Sequence, residues 1–421
     1  MWGFPRQNFL MKTAILTVGT EIFFGQVVNT NAAYLSKNLQ DLGYDVMYHY
    51  TVGDNPGRLK ELLEIVYRDC DLVLTTGGLG PTEDDLTKEV ISEFFGEKVV
   101  EYPDQLEILK EHFRSSRYSW TENNRKQAWF PENHCTVLPN LHGSAPGFMI
   151  DKNDKIIISM PGPPREMTEM FETQVRPILE ARREHYIYYR ILRTIGLGES
   201  RMETVLLPLI DGQTDPTIAT YAKEGECSLR ITSERDNLEE AQEACNEMVD
   251  KVTELIGEYI YSYDDEDLQS VVGRMLIQGN ISISCAESCT GGGFAKALTD
   301  IPGISAVFDR GLVTYSYKAK QDELGVSQET LAKYTAESEE VAYEMAEGLS
   351  RVSGSDVAVA ITGVAGPDDL SPDKPAGLAY IGLTYKGKTS VTEVRIKSRG
   401  RKWNREYFIL RMFNEVYQAI K

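Results

Sequence analysis

Short apolar runs alternate with longer amphipathic stretches over residues 12–172. The runs TAILTV, YDVMYHYTV and DLVLTTGG are typical of strands, and the stretches between them, TNAAYLSKNLQDLG and RLKELLEIVYRD, repeat their apolar positions with helical spacing. IIISMPG and PREMTEMFETQV continue the alternation as a strand and a helix. Strands that alternate with helices predict a parallel, doubly wound sheet, in which ligands bind at the carboxyl ends of the strands.

The pattern changes twice further along the chain. Over residues 187–262, the strand-like IYYRILRTIG, two amphipathic helical stretches and a strand pair predict a small α+β module. The acidic stretch YSYDDEDLQ then marks a boundary, after which strands and helices alternate to the C-terminus. We therefore predict a multidomain α/β fold with four parts: an N-terminal extension (1–10), a doubly wound domain (11–175), a small α+β middle domain (176–262) and a C-terminal α/β domain (263–421).

Composition narrows the class of protein. A chain of 421 residues is too long for a single hydrophobic core. Its net charge is −20, with 64 acidic against 44 basic residues, which argues against direct nucleic-acid binding because phosphate backbones are neutralised by Lys and Arg. No apolar run approaches the ~20 residues that span a bilayer, and the first ten residues do not resemble a signal peptide. Six scattered cysteines without a CxxC pair favour reduced thiols, so we expect a cytoplasmic protein without membrane contact.

A glycine-rich turn in the C-terminal domain is the first candidate site. The run AESCTGGG follows an apolar strand and opens a helix, and it contains Ser288, Thr290, Gly291 and Gly292. Glycines let a ligand approach the backbone, and the free N–H groups at a helix N-terminus favour an anion. A small molecule with a phosphate fits this turn. A tight strand-to-helix connection with Ser or Thr as N-cap is the alternative.

Three further segments of this domain carry polar side chains. GISAVFDRGLVTYS and the AK that follows contain Ser305, Tyr315 and Lys320, AITGVAGP contains Thr362, and SRGR contains Arg401. All five histidines precede this domain, so a Ser-His-Asp triad would need a histidine from elsewhere, and a lysine with a lowered pKa is the remaining strong candidate for general base. Each residue alone also fits an ordinary role, as a loop serine, a core tyrosine, a solvated lysine or a surface arginine.

Together, these segments resemble the CinA C-terminal domain, the nicotinamide-nucleotide amidase family, over nearly all of residues 265–421. The resemblance implies a serine amidohydrolase that converts nicotinamide mononucleotide and water into nicotinate mononucleotide and ammonia, without a metal or organic cofactor. It implies Ser305 as the nucleophile and Lys320 as the general base, with Tyr315 and Thr362 in support of proton transfer or orientation. The nucleotide-binding residues implied are Arg401 and, in the glycine-rich turn, Ser288, Thr290, Gly291 and Gly292.

Two motifs in the N-terminal domain also follow predicted strands. GTEI comes after the first strand, and TTGGLGPTEDD ends the third and leads into a helix. Glycines at that position form a cradle for a phosphate or diphosphate, and adjacent carboxylates could hold a divalent cation. For Asp84 and Asp85, capping is an equal alternative, because the spacing from Thr82 to Asp85 is that of a capping box.

With GSAPGF and MPGPPREM, these motifs resemble the molybdopterin-binding (MoaB/MogA-like) domain found at the N-terminus of CinA, over about residues 12–172. The resemblance implies hydrolysis of ADP-ribose to AMP and ribose 5-phosphate with a divalent metal, cobalt or magnesium. The metal candidates are Asp84 and Asp85, and the ligand contacts are Thr20, Glu21, Asn31, Gly77 and Gly78. The middle module resembles the family's KH-like domain, although its acidic helices argue against nucleic-acid binding.

The leading hypothesis is a hydrolase of pyridine-nucleotide recycling with two activities, since nicotinamide mononucleotide and ADP-ribose are both fragments of NAD. Two alternatives stay open. One is a non-catalytic nucleotide-binding regulator linked to competence or DNA damage, and the other is a molybdopterin-handling enzyme. The α/β surfaces and the spacer module favour a homodimer.

Overall fold

The computed structural model describes residues 11–115, 119–183, 185–223 and 225–421. The predicted extension, residues 1–10, lies outside these ranges. The chain divides into two compact units: one extends to residue 188 and includes 233–243, and the other comprises 189–232 and 244–421. Helices and strands are present in both units, and the predicted α/β class is confirmed. Among the described residues, no helix is both long enough and apolar enough to cross a bilayer.

The first unit is built on a six-stranded sheet in the order β2-β1-β3-β8-β7-β6. Its strands, with the separate pair β4 and β5, are β1 (Lys12–Val18), β2 (Asp45–Val52), β3 (Leu72–Thr76), β4 (Val99–Glu101), β5 (Trp129–Pro131), β6 (Cys135–Leu138), β7 (Gly147–Lys152) and β8 (Lys155–Met160). The helices are α1 (Thr20–Phe23), α2 (Thr30–Asp41), α3 (Pro56–Val66), α4 (Thr87–Phe94), α5 (Pro103–Ser115), α6 (Pro164–Met170) and α7 (Arg176–Glu180), with a 3-10 helix over Glu122–Ala128 and a π-helix over Phe171–Val175.

The parallel part of this sheet carries apolar clusters on both faces. β1 pairs in parallel with β2 and β3, and β3 pairs in parallel with β8, as the alternation of strands and helices predicts. Every residue of β3 is buried, because clusters around Leu16 and around Leu35 pack on opposite faces of the sheet. β6 and β7 are antiparallel strands that the pattern does not assign. The carboxyl ends of β1 and β3 therefore open at one edge of the sheet.

The middle module combines a four-stranded sheet with two helices. Its elements are β9 (Tyr186–Ile195), α8 (Glu199–Ile210), β10 (Thr217–Lys223), β11 (Glu226–Arg235), α9 (Leu238–Ile256), a 3-10 turn over Gly257–Tyr259 and β12 (Ile260–Ser262). The strand order is β10-β11-β9-β12. Ile195, the last residue of β9, and Tyr261, in β12, belong to the apolar core of the C-terminal domain. The module and the C-terminal domain thus share a core.

The C-terminal domain has a five-stranded sheet in the order β14-β13-β15-β16-β17. The strands are β13 (Ile283–Glu287), β14 (Phe308–Val313), β15 (Val357–Val364), β16 (Leu378–Tyr385) and β17 (Lys388–Arg395). The helices are α10 (Leu268–Gly279), α11 (Gly293–Thr299), α12 (Tyr317–Leu324), α13 (Gln328–Tyr334), α14 (Glu339–Ser353) and α15 (Arg401–Ile420), with a 3-10 turn over Ile304–Ala306. All six cysteines of the chain are free thiols.

The register of this sheet decides which residues meet at its edge. β13 is parallel to both β14 and β15, and Glu287, its last residue, is paired with Val313 and Ile361. The residues that follow these three partners, Ser288, Thr314 and Thr362, therefore form a row at the carboxyl ends of three parallel strands. This is the edge at which parallel sheets bind ligands.

Candidate active site

Ser288 lies in the turn between β13 and α11. Its N–H donates to the carbonyl of Ile361 at 3.1 Å, which ties the turn to the neighbouring strand. Gly291 and Gly292 have φ values of 61° and 89°, in the left-handed region that glycine adopts without strain. A Cβ on Gly291 would also lie 3.1 Å from a guanidinium nitrogen of Arg405. The two glycines therefore let the backbone turn sharply behind the serine.

A buried carboxylate supports this turn from below. Glu287 is only 1% exposed, and its two oxygens accept from the N–H groups of Phe294 at 3.0 Å and Ala295 at 2.9 Å. These are N–H groups in the first turn of α11, where a negative charge is stabilised by the helix dipole. The contact fixes the path from strand to helix and hence the position of Ser288.

Lys320 is fully buried beside Ser288. Its Nζ donates to the Ser288 hydroxyl at 2.9 Å and to the carbonyl of Thr314 at 2.8 Å. The lysine lies on α12, whose start is fixed by the Ser316 side chain, which accepts from the N–H of Ala319. The alternative of a solvated helix residue is therefore wrong for Lys320. The structure brings together a hydroxyl and an amine with no solvent between them.

Burial also sets the charge state of the amine. It lowers the pKa of Lys320, and the negative charge of Glu337 and the nearby Cys289 thiol oppose that shift. A lysine whose pKa is lowered is neutral in a larger fraction of molecules and can then accept a proton from a hydroxyl. Burial raises the pKa of Cys289 itself to about 12, so this thiol stays protonated beside the pair.

A second polar contact lies at the rim of the same edge. The Tyr315 hydroxyl accepts from Arg401 at 2.9 Å, and the other terminal nitrogen of Arg401 donates to the carbonyl of Gly366 at 2.6 Å. Tyr315 is 59% exposed, so it is not the core residue that strand periodicity also allows. Arg401 is the first residue of the 20-residue helix α15, so a positive side chain and free helix N–H groups coincide there.

Thr362 and the backbone of Thr290 hold neighbouring segments in place, whereas the Thr290 hydroxyl is buried without a hydrogen-bond partner among the described residues. Thr362 is fully buried and its hydroxyl donates to the carbonyl of Ala336 at 2.7 Å, which anchors the segment before α14. The Thr290 carbonyl accepts from Arg405 at 2.6 Å, so the last helix holds the glycine turn in place. Both residues lie at the predicted edge, and both position neighbouring segments.

Ser305 does not belong to this group. It is exposed in the 3-10 turn before β14, whereas Lys320 follows the end of that strand. The register pairs Ile283 with Phe308, so Ser305 lies near the amino end of β13 and Ser288 just beyond its carboxyl end. A strand of five residues is about 13 Å long at about 3.3 Å per residue. The predicted pairing of Ser305 with Lys320 is therefore wrong, and Ser288 is the partner.

The N-terminal domain contains a cleft of about 660 Å³ at the carboxyl ends of β1 and β3. Of the predicted residues, those that line it are Glu21, Asn31, Gly77, Gly78, Asp84 and Asp85. A Cβ on Gly77 would lie 2.0 Å from the carbonyl of Val18, and one on Gly78 would lie 2.0 Å from the Thr87 hydroxyl, so both positions require glycine. Thr20 does not line the cleft. Its hydroxyl donates at 2.8 Å to Asp54, which does, so Thr20 positions a cleft residue.

Asn31 offers an acceptor to this cleft. Its side-chain amide nitrogen donates to the Thr76 hydroxyl at 2.9 Å and to the carbonyl of Gly162 at 2.8 Å. Its side-chain oxygen is buried and has no partner among the described residues. Buried polar atoms are almost always satisfied, so this oxygen is available to a donor on a ligand.

The two aspartates differ in what they contact. One oxygen of Asp85 accepts from the N–H of Thr82 at 2.9 Å and from the Thr82 hydroxyl at 2.6 Å. An aspartate bonded in this way to the N–H three residues before it is what a capping box predicts. The helix α4, however, begins only at Thr87. Asp84 is exposed. Within the described residues, no group of three or more His, Cys, Asp or Glu side chains is arranged to hold a metal ion. A divalent cation here would thus have one or two carboxylate ligands at most and would take its others from a substrate diphosphate or from water.

Comparison with known proteins covers almost the whole chain. A competence-damage inducible protein of Clostridium botulinum (strain Kyoto / Type A2) is 45% identical over 411 residues, which are 98% of this chain and 100% of the relative. A CinA-like protein of Dictyoglomus thermophilum is 46% identical over 386 residues, 92% of this chain and 94% of the relative. The chain belongs to the CinA family.

The family models match the chain in three consecutive segments. They are “Probable molybdopterin binding domain” over residues 14–181, “Damage-inducible protein CinA KH domain” over 189–262 and “CinA C-terminal domain” over 265–420. A solved structure, the competence/damage inducible protein CihA from Agrobacterium tumefaciens, is 37% identical and covers 37% of this chain and 98% of its own, with a TM-score of 0.36. The matches to these family models and to the full-length relatives confirm the resemblances to CinA and to the MoaB-like domain.

Several residues of this CinA chain that shape the two sites are not among those predicted from sequence. Glu287 stands within the AESCTGGG motif and could have been found there, because a buried acid before a helix start is a frequent cap. Arg405, Glu337 and Asp54 reach their sites only through the packing of distant segments. No local pattern marks them.

Proposed function

We propose that the C-terminal domain hydrolyses the carboxamide of nicotinamide mononucleotide, with Ser288 as nucleophile and Lys320 as general base. The observation that carries this proposal is the 2.9 Å contact between the Ser288 hydroxyl and the buried Lys320 amine. Serine activated by lysine is an established alternative to the histidine triad. The proposal keeps the reaction that the family resemblance implies and replaces the nucleophile.

In the first half of the reaction, the Ser288 oxygen attacks the carboxamide carbon while its proton moves to the neutral amine of Lys320. The protonated lysine then gives this proton to the departing amide nitrogen, and ammonia leaves an acyl-enzyme. In the second half, water attacks the same carbon, its proton passes to Lys320, and nicotinate mononucleotide is released as the Ser288 oxygen recovers its proton. Every proton is thus handled by one amine, as in other enzymes with a single acid–base group.

The glycine turn supplies N–H groups for the charged intermediate, and Arg401 supplies a positive charge for the phosphate. Within the described residues, the N–H groups of Thr290 and Gly292 have no backbone acceptor, so they are available to an oxyanion, and one good donor typically contributes about 3 kcal/mol. Arg401, held by Tyr315 at the start of α15, supports binding of the phosphate. These contacts are consistent with a nucleotide whose amide end lies towards Lys320.

The test is ammonia release from nicotinamide mononucleotide by the full chain and its variants. Ser288→Ala and Lys320→Met should each lose about 1,000-fold or more in kcat, because each removes one member of the pair. Ser305→Ala is the matched control, since it removes an exposed hydroxyl from the other end of β14, and it should keep full activity. Loss of activity in Ser305→Ala with activity retained in Ser288→Ala would overturn the assignment of Ser288 as the nucleophile. If the intact chain binds nicotinamide mononucleotide but does not hydrolyse it, the alternative of a non-catalytic nucleotide-binding regulator is favoured.

For the N-terminal domain, we propose metal-dependent hydrolysis of ADP-ribose to AMP and ribose 5-phosphate. The supporting observation is the cleft of about 660 Å³, which combines the glycine turn, an unpartnered Asn31 oxygen and the exposed Asp84. The size suits a nucleotide-sized ligand. AMP formation should depend on added cobalt or magnesium and should disappear in Asp84→Ala but persist in Ser288→Ala. Tight binding of a pterin without AMP formation would instead support the molybdopterin-handling alternative.

A further inference from the structure

Glu337 lies at the edge of the C-terminal site, in the short connection between α13 and α14. Two hydrogen bonds fix the residue before it: the carbonyl of Ala336 accepts from Thr362 at 2.7 Å, and its N–H donates to the Tyr317 hydroxyl at 3.2 Å. Ser338, the residue after it, is the N-cap of α14 and accepts from the N–H of Val341. The backbone of Glu337 is therefore held between the end of β15 and the start of α12, the helix that carries Lys320.

The side chain of Glu337 has no partner that explains it. It is half-buried, and among the described residues its carboxylate forms neither a hydrogen bond nor an ion pair. Burial lowers the pKa of Lys320, and of the charged groups that oppose this shift, Glu337 has the largest effect. An acid that is partly removed from water, close to a reacting amine and without a cationic partner, suggests that a ligand supplies the positive charge.

A positive charge also lies at the rim of this site. Arg401 lies at the start of α15 and is held by the Tyr315 hydroxyl and the carbonyl of Gly366. The site thus presents a carboxylate beside the reacting pair and a guanidinium at the end where the helix N-terminus opens. A ligand that complements both has a cationic ring next to its amide and an anionic tail.

We propose that Glu337 is a specificity-determining residue that selects amides attached to a positively charged pyridinium ring. The inference rests on the proposed amidase function and adds the reason for its substrate class. Nicotinamide mononucleotide has a pyridinium cation beside the carboxamide and a phosphate at the other end. Its reduced dihydro form keeps the carboxamide, ribose and phosphate but has a neutral ring, so the pair of ligands differs in the charge that Glu337 would recognise.

The experiment measures binding of both ligands by calorimetry in a Ser288→Ala background, which prevents turnover. In Ser288→Ala, the oxidised nucleotide should bind more tightly than the reduced one. Adding Glu337→Gln should weaken binding of the oxidised form about fivefold and leave the reduced form unchanged, since a half-exposed ion pair contributes about 1 kcal/mol. Glu337→Gln would also lower the pKa of Lys320, and a less positive lysine favours a cationic ring, so this side effect works against the expected loss.

The matched control is Ser288→Ala with Glu340→Gln, which removes an exposed carboxylate from the first turn of α14. It should keep the preference for the oxidised form. Equal weakening of both ligands in the Glu337→Gln variant, or an unchanged preference, would overturn the inference. These outcomes differ from failure of the proposed function, in which the intact chain releases no ammonia and the Ser288→Ala variant binds neither nucleotide.

Discussion

The turn at Ser288 and the cleft at Gly77 occupy equivalent positions, because each follows the carboxyl end of a parallel strand. In the C-terminal domain that edge holds a buried hydroxyl and amine in direct contact. In the N-terminal domain it holds an open cleft whose Asp85 is bonded to Thr82, while the Asn31 oxygen has no partner among the described residues. The carboxyl ends of parallel strands thus locate both candidate sites, and the C-terminal one contains a hydroxyl and an amine in direct contact.

Substitution of the buried base should have the largest effect. Lys320→Arg keeps a positive charge and a long side chain, but arginine cannot lose its proton in a protein and so cannot accept one from Ser288. We expect a loss of about 1,000-fold in kcat for ammonia release. Lys318→Arg is the control, since this lysine is exposed on the same helix, and it should retain activity. Equal activity in Lys320→Arg and Lys318→Arg would show that Lys320 is not the general base, and the contrast drawn between the two sites would then be wrong.

The next largest effect is expected from Gly77→Ala, which should disturb the N-terminal cleft and leave the C-terminal site intact. Gly77 has a φ of 106°, and a Cβ there would lie 2.0 Å from the carbonyl of Val18, so Gly77→Ala forces the turn to move. We expect about 2 kcal/mol or more of lost stability in the N-terminal domain and loss of ADP-ribose binding, with ammonia release unchanged. In Gly162→Ala, which lines the same cleft, the new Cβ meets only an ordinary 3.6 Å contact, and binding should persist. Thermal unfolding measures the stability, and calorimetry measures the binding of ADP-ribose. If Gly77→Ala also loses ammonia release, the expectation that the two sites function independently is wrong.

Most of the fold follows from the alternation of apolar runs. Strands such as β3, buried on both faces, produce continuous apolar segments that are visible in the sequence, and the helices between them show their amphipathic period. β6 is different, with only two of its four residues apolar besides a cysteine and a threonine, and no run of that kind marks it. The pattern is therefore informative for the buried parallel strands that position both sites and weak for short antiparallel ones.

The nucleophile illustrates what a motif leaves undecided. Ser305 and Ser288 both stand in matched segments, and the resemblance implied Ser305, whereas the fold places Ser288 beside Lys320. β14 lies between Ser305 and Lys320 along the chain, so the two residues are at opposite ends of that strand. No local pattern marks Glu337, because its position depends on how the α13–α14 connection packs against β15.

The pH dependence sharpens the contrast by reporting on Lys320 alone. The amine is a base only when neutral, so kcat/KM should rise with pH through its pKa and then level off. Because burial lowers that pKa from 10.5, the midpoint of the rise should lie below pH 10.5. Glu337→Gln should move the profile to lower pH, since the negative charge of Glu337 raises the pKa of Lys320. A profile that is flat, or that rises only above pH 10.5, would be inconsistent with a buried lysine base.

The smallest effect tests whether the two N-terminal aspartates are as different as their contacts. Asp85→Ala removes the acceptor of both Thr82 bonds and should lower the stability of the N-terminal domain by about 1 kcal/mol. Asp84→Ala removes an exposed carboxylate and should leave stability nearly unchanged while it abolishes AMP formation. The thermal unfolding midpoint and the ADP-ribose assay distinguish the two. If Asp84→Ala unfolds as early as Asp85→Ala does, Asp84 is a structural residue too, and the N-terminal cleft loses the carboxylate that its proposed chemistry requires.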